Sequence, residues 1–232
     1  MKDVIVALDF KNKEEAFKFL KNFEESIFVK IGMELFYSEG PEIVREIKEM
    51  GHQIFLDLKF HDIPNTVAGA MRSCLSLGVD MINLHASGGS KMMEAAMEEA
   101  KKAEKMPLVI AVTVLTSMDE KTMREELHVV SSVEEAVLNY AKLTQKSGLQ
   151  GIVCSALEVK KIKEVMGLDF ITVTPGIRPL DSTAGDQSRV VTPAMAREFG
   201  SDYIVVGRPI TKAENPREAY EKIKNEFLGG LN

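Results

Sequence analysis

The 232-residue sequence has few cysteines, no excess of positive charge and no long apolar run. Its two cysteines, Cys74 and Cys154, lie far apart inside apolar stretches, which predicts reduced core thiols rather than a disulfide framework and favours a cytoplasmic location. A formal net charge of -6 gives no general basic footprint, so we expect no nucleic-acid partner. No window approaches about 18 uninterrupted apolar residues, and no charged-then-apolar leader precedes the first β-type run. We therefore expect a protein that neither spans a membrane nor is secreted.

Eight short runs rich in β-branched residues recur along the chain, and each is followed by a segment with helical apolar spacing. The runs cover residues 4–9, 28–33, 53–60, 81–86, 108–115, 151–156, 170–176 and 203–207. The helical segments cover residues 14–23, 41–50, 65–77, 90–104, 133–147, 158–166, 193–199 and 216–227. Alternating strands and helices indicate βαβ units and a parallel sheet. Eight such pairs without a linker predict an α/β fold, a single (β/α)8 barrel domain over residues 1–232, with a doubly wound open sheet as the structural alternative.

The end of the third predicted strand carries a concentrated group of charges. Asp57, Lys59 and Asp62 lie within six residues, and the alternation of side chains along a strand places Asp57 and Lys59 on the same face. Where water is excluded, opposite charges about 4 Å apart interact by roughly 4 kcal/mol at an effective dielectric near 20. Catalytic groups of barrel enzymes lie at the carboxyl ends of the strands, so this cluster predicts an active site.

Other polar residues lie at or near the predicted carboxyl ends of the strands. In a closed barrel these ends form a single rim, so the side chains would lie near one another. These residues are Asp9, Lys30, His85, Thr116, Ser155, Arg178 and Arg208. Gly207 and Arg208 lie at the end of the last predicted strand, just before a helical segment, a position at which barrels often bind phosphate through backbone N–H groups. The polar loop over residues 178–189 has no apolar periodicity and predicts a lid, with Arg178 and Gln187 as its ligand contacts.

Seven short motifs lie at the predicted strand ends and in the loops after them. They are Val6-Ala-Leu-Asp9, Val29-Lys-Ile-Gly32, Asp57-Leu-Lys-Phe-His-Asp-Ile-Pro-Asn-Thr66, Leu115-Thr-Ser117, Thr174-Pro-Gly-Ile-Arg-Pro179, Asp186-Gln187 and Val206-Gly-Arg-Pro209. Taken in order, they resemble the orotidine 5′-phosphate decarboxylase family in its bacterial-type, single-function form. The resemblance covers essentially the whole chain. Each piece alone is weak, whereas their order and their placement at the strand ends are specific.

The resemblance implies decarboxylation of orotidine 5′-phosphate to UMP and CO2, the last step of pyrimidine synthesis. Lys59 matches the family's catalytic lysine, the proton donor to C6 of the pyrimidine, and Lys30, Asp57 and Asp62 match the rest of its charged tetrad. The substrate-binding positions that match are Asp9, Lys30, Asp57, Thr66, Thr116, Ser155, Arg178, Gln187, Gly207 and Arg208. The resemblance also implies a homodimer, with Asp62 and Thr66 contributed across the interface, and no metal or organic cofactor.

Two other functions fit parts of the pattern. A Mg²⁺-dependent sugar-phosphate enzyme resembling 3-keto-L-gulonate 6-phosphate decarboxylase shares the Asp-x-Lys-x-x-Asp strand end and would use Asp57 and Asp62 as metal ligands. Against it stand Lys30 and the long loop after the seventh strand. A non-catalytic nucleotide-binding barrel would keep the phosphate site but has no need of four close charges.

The histidines give little support to a metal enzyme. A metal epimerase could use His61 and His85, but no close metal-ligand motif joins them, and His61 is interpreted as a loop residue. We expect His52 and His128 to lie on the surface.

Overall fold

A computed structural model describes residues 2–179 and 191–230 and shows a closed barrel of eight parallel strands. The strands follow one another around the barrel in sequence order, and β8 pairs with β1. Their bounds are β1 Asp3–Ala7, β2 Phe28–Gly32, β3 Gln53–Phe60, β4 Met81–His85, β5 Leu108–Val112, β6 Gly151–Val153, β7 Ile171–Thr174 and β8 Tyr203–Val206. The predicted barrel is confirmed, and the open sheet is wrong because β1 and β8 are hydrogen-bonded to each other.

Helices lie between consecutive strands and after the last one. Their bounds are α1 Lys13–Leu20, α2 Met33–Glu39, α3 Glu42–Glu49, α4 Pro64–Leu75, α5 Ser90–Ala100, α6 Glu120–Glu125, α7 Val133–Lys146, α8 Val159–Met166, α9 Pro193–Phe199, α10 Arg208–Thr211 and α11 Pro216–Leu228. Pro193 and Pro216 occupy first helical turns, as their fixed φ favours.

Side-chain alternation along the strands divides the apolar residues into two packed layers. One face of each strand fills the barrel interior with a buried apolar cluster that includes Ile5, Phe55, Met81 and Val205. The other face packs against the helices and includes Val4, Val6 and Leu56. This division explains why the strands read as nearly continuous apolar runs, since both faces are buried.

Three short helices, α2, α6 and α10, are absent from the sequence prediction. All three lie in connections after strands, and α6 begins at a capping residue, because Asp119 accepts a hydrogen bond from the Thr122 N–H at 2.8 Å. Their four to seven residues are too few to show a clear helical period. They shorten the connecting loops at the rim where the site was predicted.

His52 corrects one expectation, because it is 3% exposed rather than on the surface. It directly precedes β3, and its Nδ1 accepts a hydrogen bond from the Ile27 N–H at 3.3 Å. Burial lowers the pKa of His52, which suits a neutral ring acting as an acceptor. His128 is exposed, as expected.

Both cysteines are buried and free, as predicted. Burial raises the pKa of the Cys74 thiol to about 11 and also raises that of Cys154, so both are inert packing groups. Among the residues that the structure describes, no helix is long and apolar enough to cross a membrane.

Candidate active site

Four charged side chains form an alternating chain across the carboxyl ends of β1, β2 and β3. The Lys30 Nζ lies 3.0 Å from the Asp9 Oδ1 and 3.5 Å from the Asp57 Oδ2. The Lys59 Nζ lies 2.6 Å from the Asp57 Oδ1. The structure thus brings together Asp9, Lys30, Asp57 and Lys59, four of the residues that the sequence singled out.

The side chain of Lys59 projects from an irregular part of β3. Leu56 pairs with Ile82 and Phe60 pairs with Leu84, so three residues of β3 lie opposite one residue of β4. Lys59 has φ of 52°, in the left-handed region that is costly for a residue with a side chain. Bulges of this kind re-aim side chains near active sites, and here the bulge directs Asp57 and Lys59 to the same spot.

Asn83 is a site residue that the sequence prediction missed. It is the residue of β4 opposite the bulge and is 1% exposed. Its Nδ2 donates to the Asp57 Oδ1 at 2.7 Å, and its Oδ1 accepts from the Lys59 N–H at 2.9 Å. The available signal was a single amide inside the apolar run Met81-Ile-Asn-Leu-His85, on the same face as Met81, which lines the barrel interior.

The surroundings of Asp57 favour its ionised form. Burial by itself would raise the pKa of Asp57, but the charges of Lys30 and Lys59 and the hydrogen bonds from Lys59 and Asn83 outweigh it. The pKa of Asp57 therefore lies below its usual value. The ionised form of Asp57 is thus favoured where its two oxygens lie close to the Nζ atoms of Lys30 and Lys59.

Gly32 leaves the space that the Lys30 ammonium occupies. A Cβ at this position would lie 2.9 Å from the Lys30 Nζ and 3.6 Å from the Asp9 Oδ1. A larger residue would push the tip of Lys30 away from its two carboxylate partners. The close approach of Lys30 thus explains why a glycine, rather than a larger residue, suits the last position of the Val29-Lys-Ile-Gly32 motif.

Gly207 lies beside Asp9, at the junction of β8 and β1, and Arg208 directly follows it. A Cβ on Gly207 would lie 3.5 Å from the Ala7 Cβ and 3.8 Å from the Asp9 Oδ2. Arg208 begins α10 and is exposed. The predicted phosphate end is therefore adjacent to the charged chain.

The loop after β7 is described only at its two ends. Ile177 bridges to Val191, and the buried Arg178 donates its backbone N–H to the Val191 carbonyl at 3.0 Å. Arg178 thus lies at the base of the predicted lid. Gln187 lies outside the described residues.

Thr116 and Ser155 line a cavity of about 670 Å³ beside the ends of β5, β6 and β7. The Ser155 Oγ accepts from the Leu157 N–H at 3.4 Å, and the Ser155 N–H donates to the Glu158 Oε2 at 2.9 Å. Ser155 is thereby fixed at the start of a short 3-10 turn, Ala156–Glu158. The cavity lies on the side of the barrel mouth away from β1 and β2.

Asp62 and Thr66 stay apart from the charged chain. Both are exposed, and the Asp62 Oδ1 accepts a hydrogen bond from the Ile63 N–H at 2.6 Å. Ile63 between them is 66% exposed despite its apolar side chain. Among the ion pairs of the described residues, none includes Asp62.

His61 and His85 lie closer together than their sequence positions indicated. Their ring centroids are 5.4 Å apart. Burial, followed by the charges of His61 and Lys59, lowers the pKa of His85. Over residues 2–179 and 191–230, no group of three His, Cys, Asp or Glu side chains is placed to share a metal ion.

Fold and site together define a (β/α)8-barrel protein with a lysine-carboxylate site at the carboxyl ends of its strands, where barrel enzymes carry their catalytic groups. The family model described as "Orotidine 5′-phosphate decarboxylase / HUMPS family" matches residues 2–223. The chain belongs to this family.

Similar proteins cover almost the same length. The orotidine 5′-phosphate decarboxylase of Bacillus cytotoxicus is 59% identical over 98% of both chains, and that of Bacillus cereus is 59% identical over 97% of both. A crystal structure of orotidine 5′-phosphate decarboxylase from Lactobacillus acidophilus has a TM-score of 0.89 and 44% identity, covering 98% of this chain and 99% of that one. An uncharacterized conserved protein from Geobacillus kaustophilus has a TM-score of 0.87 and 47% identity, covering 97% of this chain and 99% of that one.

Proposed function

We propose that this chain decarboxylates orotidine 5′-phosphate to UMP and CO2, the last step of de novo pyrimidine synthesis. The observation that carries the proposal is the alternating chain of Asp9, Lys30, Asp57 and Lys59 at the barrel mouth. It occurs in a chain that is 59% identical to proteins named for this reaction. The family description joins orotidine 5′-phosphate decarboxylase with HUMPS and so does not select one substrate. The support for orotidine 5′-phosphate comes from the similar proteins.

Lys59 is the group we assign to the chemical step. Breaking the bond from C6 to the carboxylate leaves an electron pair in the ring plane, where the pyrimidine π system accepts it poorly. An ammonium beside C6 stabilises this pair and then donates a proton to the carbon, while CO2 leaves. The Lys59 side chain is 27% exposed at the mouth while Asp57 fixes its ammonium. The neutral amine left on Lys59 regains its proton from water.

The remaining site residues serve binding in this proposal. Enzymes lower barriers by up to roughly 23 kcal/mol, which is more than one lysine supplies, so substrate-binding energy has to contribute. Lys30 and Asp9 contact the ribose, and Ser155 contacts the pyrimidine edge with Thr116 in the same pocket. Asp57 contributes beside the departing carboxylate, and the phosphate is bound by the residues after the last two strands, Gln187, Gly207 and Arg208, with Arg178 at the lid.

We further propose a mechanism without metal or organic cofactor. Both oxygens of Asp57 already lie close to ammonium groups, at 2.6 Å for Lys59 and 3.5 Å for Lys30. A Mg²⁺ ion, which prefers oxygen ligands, would have to displace these cations from the carboxylate. This arrangement disfavours the sugar-phosphate alternative.

We also propose a cytoplasmic location. The buried, free thiols of Cys74 and Cys154 suit this location.

The experiment follows the loss of orotidine 5′-phosphate absorbance with purified wild-type protein, with and without EDTA. We expect equal turnover in both. Turnover that requires Mg²⁺ would favour the sugar-phosphate class. UMP binding without any turnover would favour a non-catalytic nucleotide-binding barrel.

We also propose a homodimer in which Asp62 and Thr66 complete the partner's site. Their exposure, together with the exposed Ile63 between them, supports a contact with another subunit. Mixing Lys59→Ala with Asp62→Ala subunits tests this directly, because a heterodimer contains one site with both residues intact. We expect activity to reappear on mixing; no recovery in demonstrated heterodimers would contradict the shared site.

A further inference from the structure

The bulge in β3 removes regular strand pairing at the position where the catalytic lysine is proposed. Asp57, Leu58 and Lys59 lie opposite Asn83, so the backbone ladder to β4 is interrupted there. A buried backbone N–H without a partner is costly, and Lys59 also has the unfavourable φ of 52°. Some contact has to hold this backbone conformation in place.

The side chain of Asn83 provides that contact. Its Oδ1 accepts from the Lys59 N–H at 2.9 Å, in the place of a ladder hydrogen bond. Its Nδ2 donates to the Asp57 Oδ1 at 2.7 Å, the same oxygen that lies 2.6 Å from the Lys59 Nζ. One amide therefore contacts the carboxylate and the backbone of the lysine paired with it.

We propose that Asn83 is a positioning residue that sets the direction of the Lys59 side chain and the orientation of the Asp57 carboxylate. The inference rests on the proposed function, because it assigns Asn83 a role in that reaction. An amide is suited to the task because it offers a donor and an acceptor on one rigid plane without adding charge. A carboxylate would lack the donor and would repel Asp57.

Two variants of similar shape separate the two contacts. Asn83→Leu removes both the donor and the acceptor. Asn83→Asp keeps an acceptor for the Lys59 N–H but loses the donor to Asp57 and places a second negative charge beside it. Thr172→Val is the matched control, since it removes the hydrogen bond of 3.0 Å from the Oγ1 of the buried Thr172 to Asp202, at the opposite end of the barrel.

For Asn83→Leu we expect kcat to fall by about 10- to 100-fold, as for a misplaced catalytic group, while the UMP dissociation constant stays close to that of the wild type. The acidic limb of the kcat profile should move to higher pH in both Asn83 variants, further in Asn83→Asp. The reason is that the Asn83 hydrogen bond helps to lower the pKa of Asp57, and a neighbouring negative charge raises it. Thr172→Val should lower the melting temperature and leave the pH profile unchanged.

The proposal is contradicted if both Asn83 variants keep the wild-type kcat and pH profile and lose only thermal stability. If Asn83→Leu does not fold, Asn83→Asp decides, because it preserves shape and the backbone contact. A wild-type protein that does not decarboxylate orotidine 5′-phosphate contradicts the proposed function instead, before any variant is compared.

Discussion

Lysine–aspartate pairs occur at both ends of this barrel, and they are built differently. At the amino ends of the strands, Asp202 precedes β8, and its Oδ2 accepts from the Thr172 N–H of β7 at 2.8 Å and lies 2.6 Å from the Lys163 Nζ. The same Nζ donates to the carbonyls of Leu168 and Phe170, both at 2.9 Å. This ion pair therefore satisfies backbone N–H and C=O groups near the amino end of β7.

The same device recurs before other strands at this end. Asp80 precedes β4, and its Oδ2 accepts from the Ile54 N–H of β3 at 2.9 Å as well as from Lys48. Gln150 precedes β6, and its Oε1 accepts from the Val109 N–H of β5 at 2.9 Å. Polar side chains here join neighbouring strands, which is a structural role.

At the carboxyl ends, Lys30 contacts Asp9 and Asp57, whereas the Lys59 Nζ has Asp57 as its single ion-pair partner within the described part of the chain. The Lys59 side chain is 27% exposed, whereas that of Lys163 is 8% exposed. An ammonium with remaining hydrogen-bonding capacity can interact with a ligand, and one that is fully bonded cannot. Exposure and unused donors, rather than the presence of an ion pair, distinguish the candidate catalytic lysine from the structural one.

Replacing the carboxylate at each end gives the largest expected contrast. Asp57→Asn should lower kcat by about 10²- to 10³-fold, in the range for loss of one electrostatic group in a catalytic site. Its loss of stability should be smaller than that of Asp202→Asn, because Lys30 keeps Asp9 as a counter-charge and the Lys59 side chain is 27% exposed. Asp202→Asn should lower the free energy of unfolding by about 3 kcal/mol, because it leaves the buried Lys163 without its counter-charge. Steady-state kinetics and urea unfolding measure the two quantities. The proposed difference between the two ends of the barrel is contradicted if both variants lose mainly stability and little kcat.

Glycine substitutions sharpen the same contrast with a smaller effect. Gly32→Ala should displace the flexible tip of Lys30 and lower kcat by up to about 10²-fold, as a small misplacement can, with little change in melting temperature. Gly151→Ala, in β6, would press its Cβ against the Ile171 backbone and should lower the melting temperature while kcat of the folded protein is retained. Thermal unfolding and kinetics on both variants check this, and a destabilised but fully active Gly32→Ala would contradict the role of Gly32.

The smallest expected effect concerns pH and the buried His52. Burial lowers its pKa, so the unfolded chain takes up a proton near the ordinary value of 6.5 before the folded protein does. Its contribution to stability is thus present above about pH 6.5 and is lost as the pH falls toward its folded pKa. His52→Asn keeps a hydrogen-bond acceptor for Ile27 and should flatten this part of the stability curve.

His128→Asn, at an exposed position, is the control and should leave the pH dependence of unfolding unchanged. His85, whose pKa is also lowered, maintains some acid sensitivity in all three proteins. Urea unfolding between pH 5 and 8 measures the curves. Identical curves for wild type and His52→Asn would contradict the assignment.

Sequence reasoning recovered the barrel because it depends on periodicity, which is local and repeated eight times. It also placed Lys30, Asp57 and Lys59 together, since strand ends of a parallel barrel meet at one rim. Asn83 and His52 were missed because their roles depend on partners distant in sequence: Asp57 and Lys59 of β3 for Asn83, and the Ile27 N–H just before β2 for His52. The lone amide in an apolar run marks Asn83 as unusual, but the groups that it contacts are set by strand pairing.

The most direct test of the central claim is the kcat of Lys59→Ala on orotidine 5′-phosphate, measured together with its UMP dissociation constant. The account predicts that kcat falls by about 10³-fold or more, near the upper range for loss of a proton donor, while UMP binding is largely retained. Turnover close to that of the wild type would contradict it.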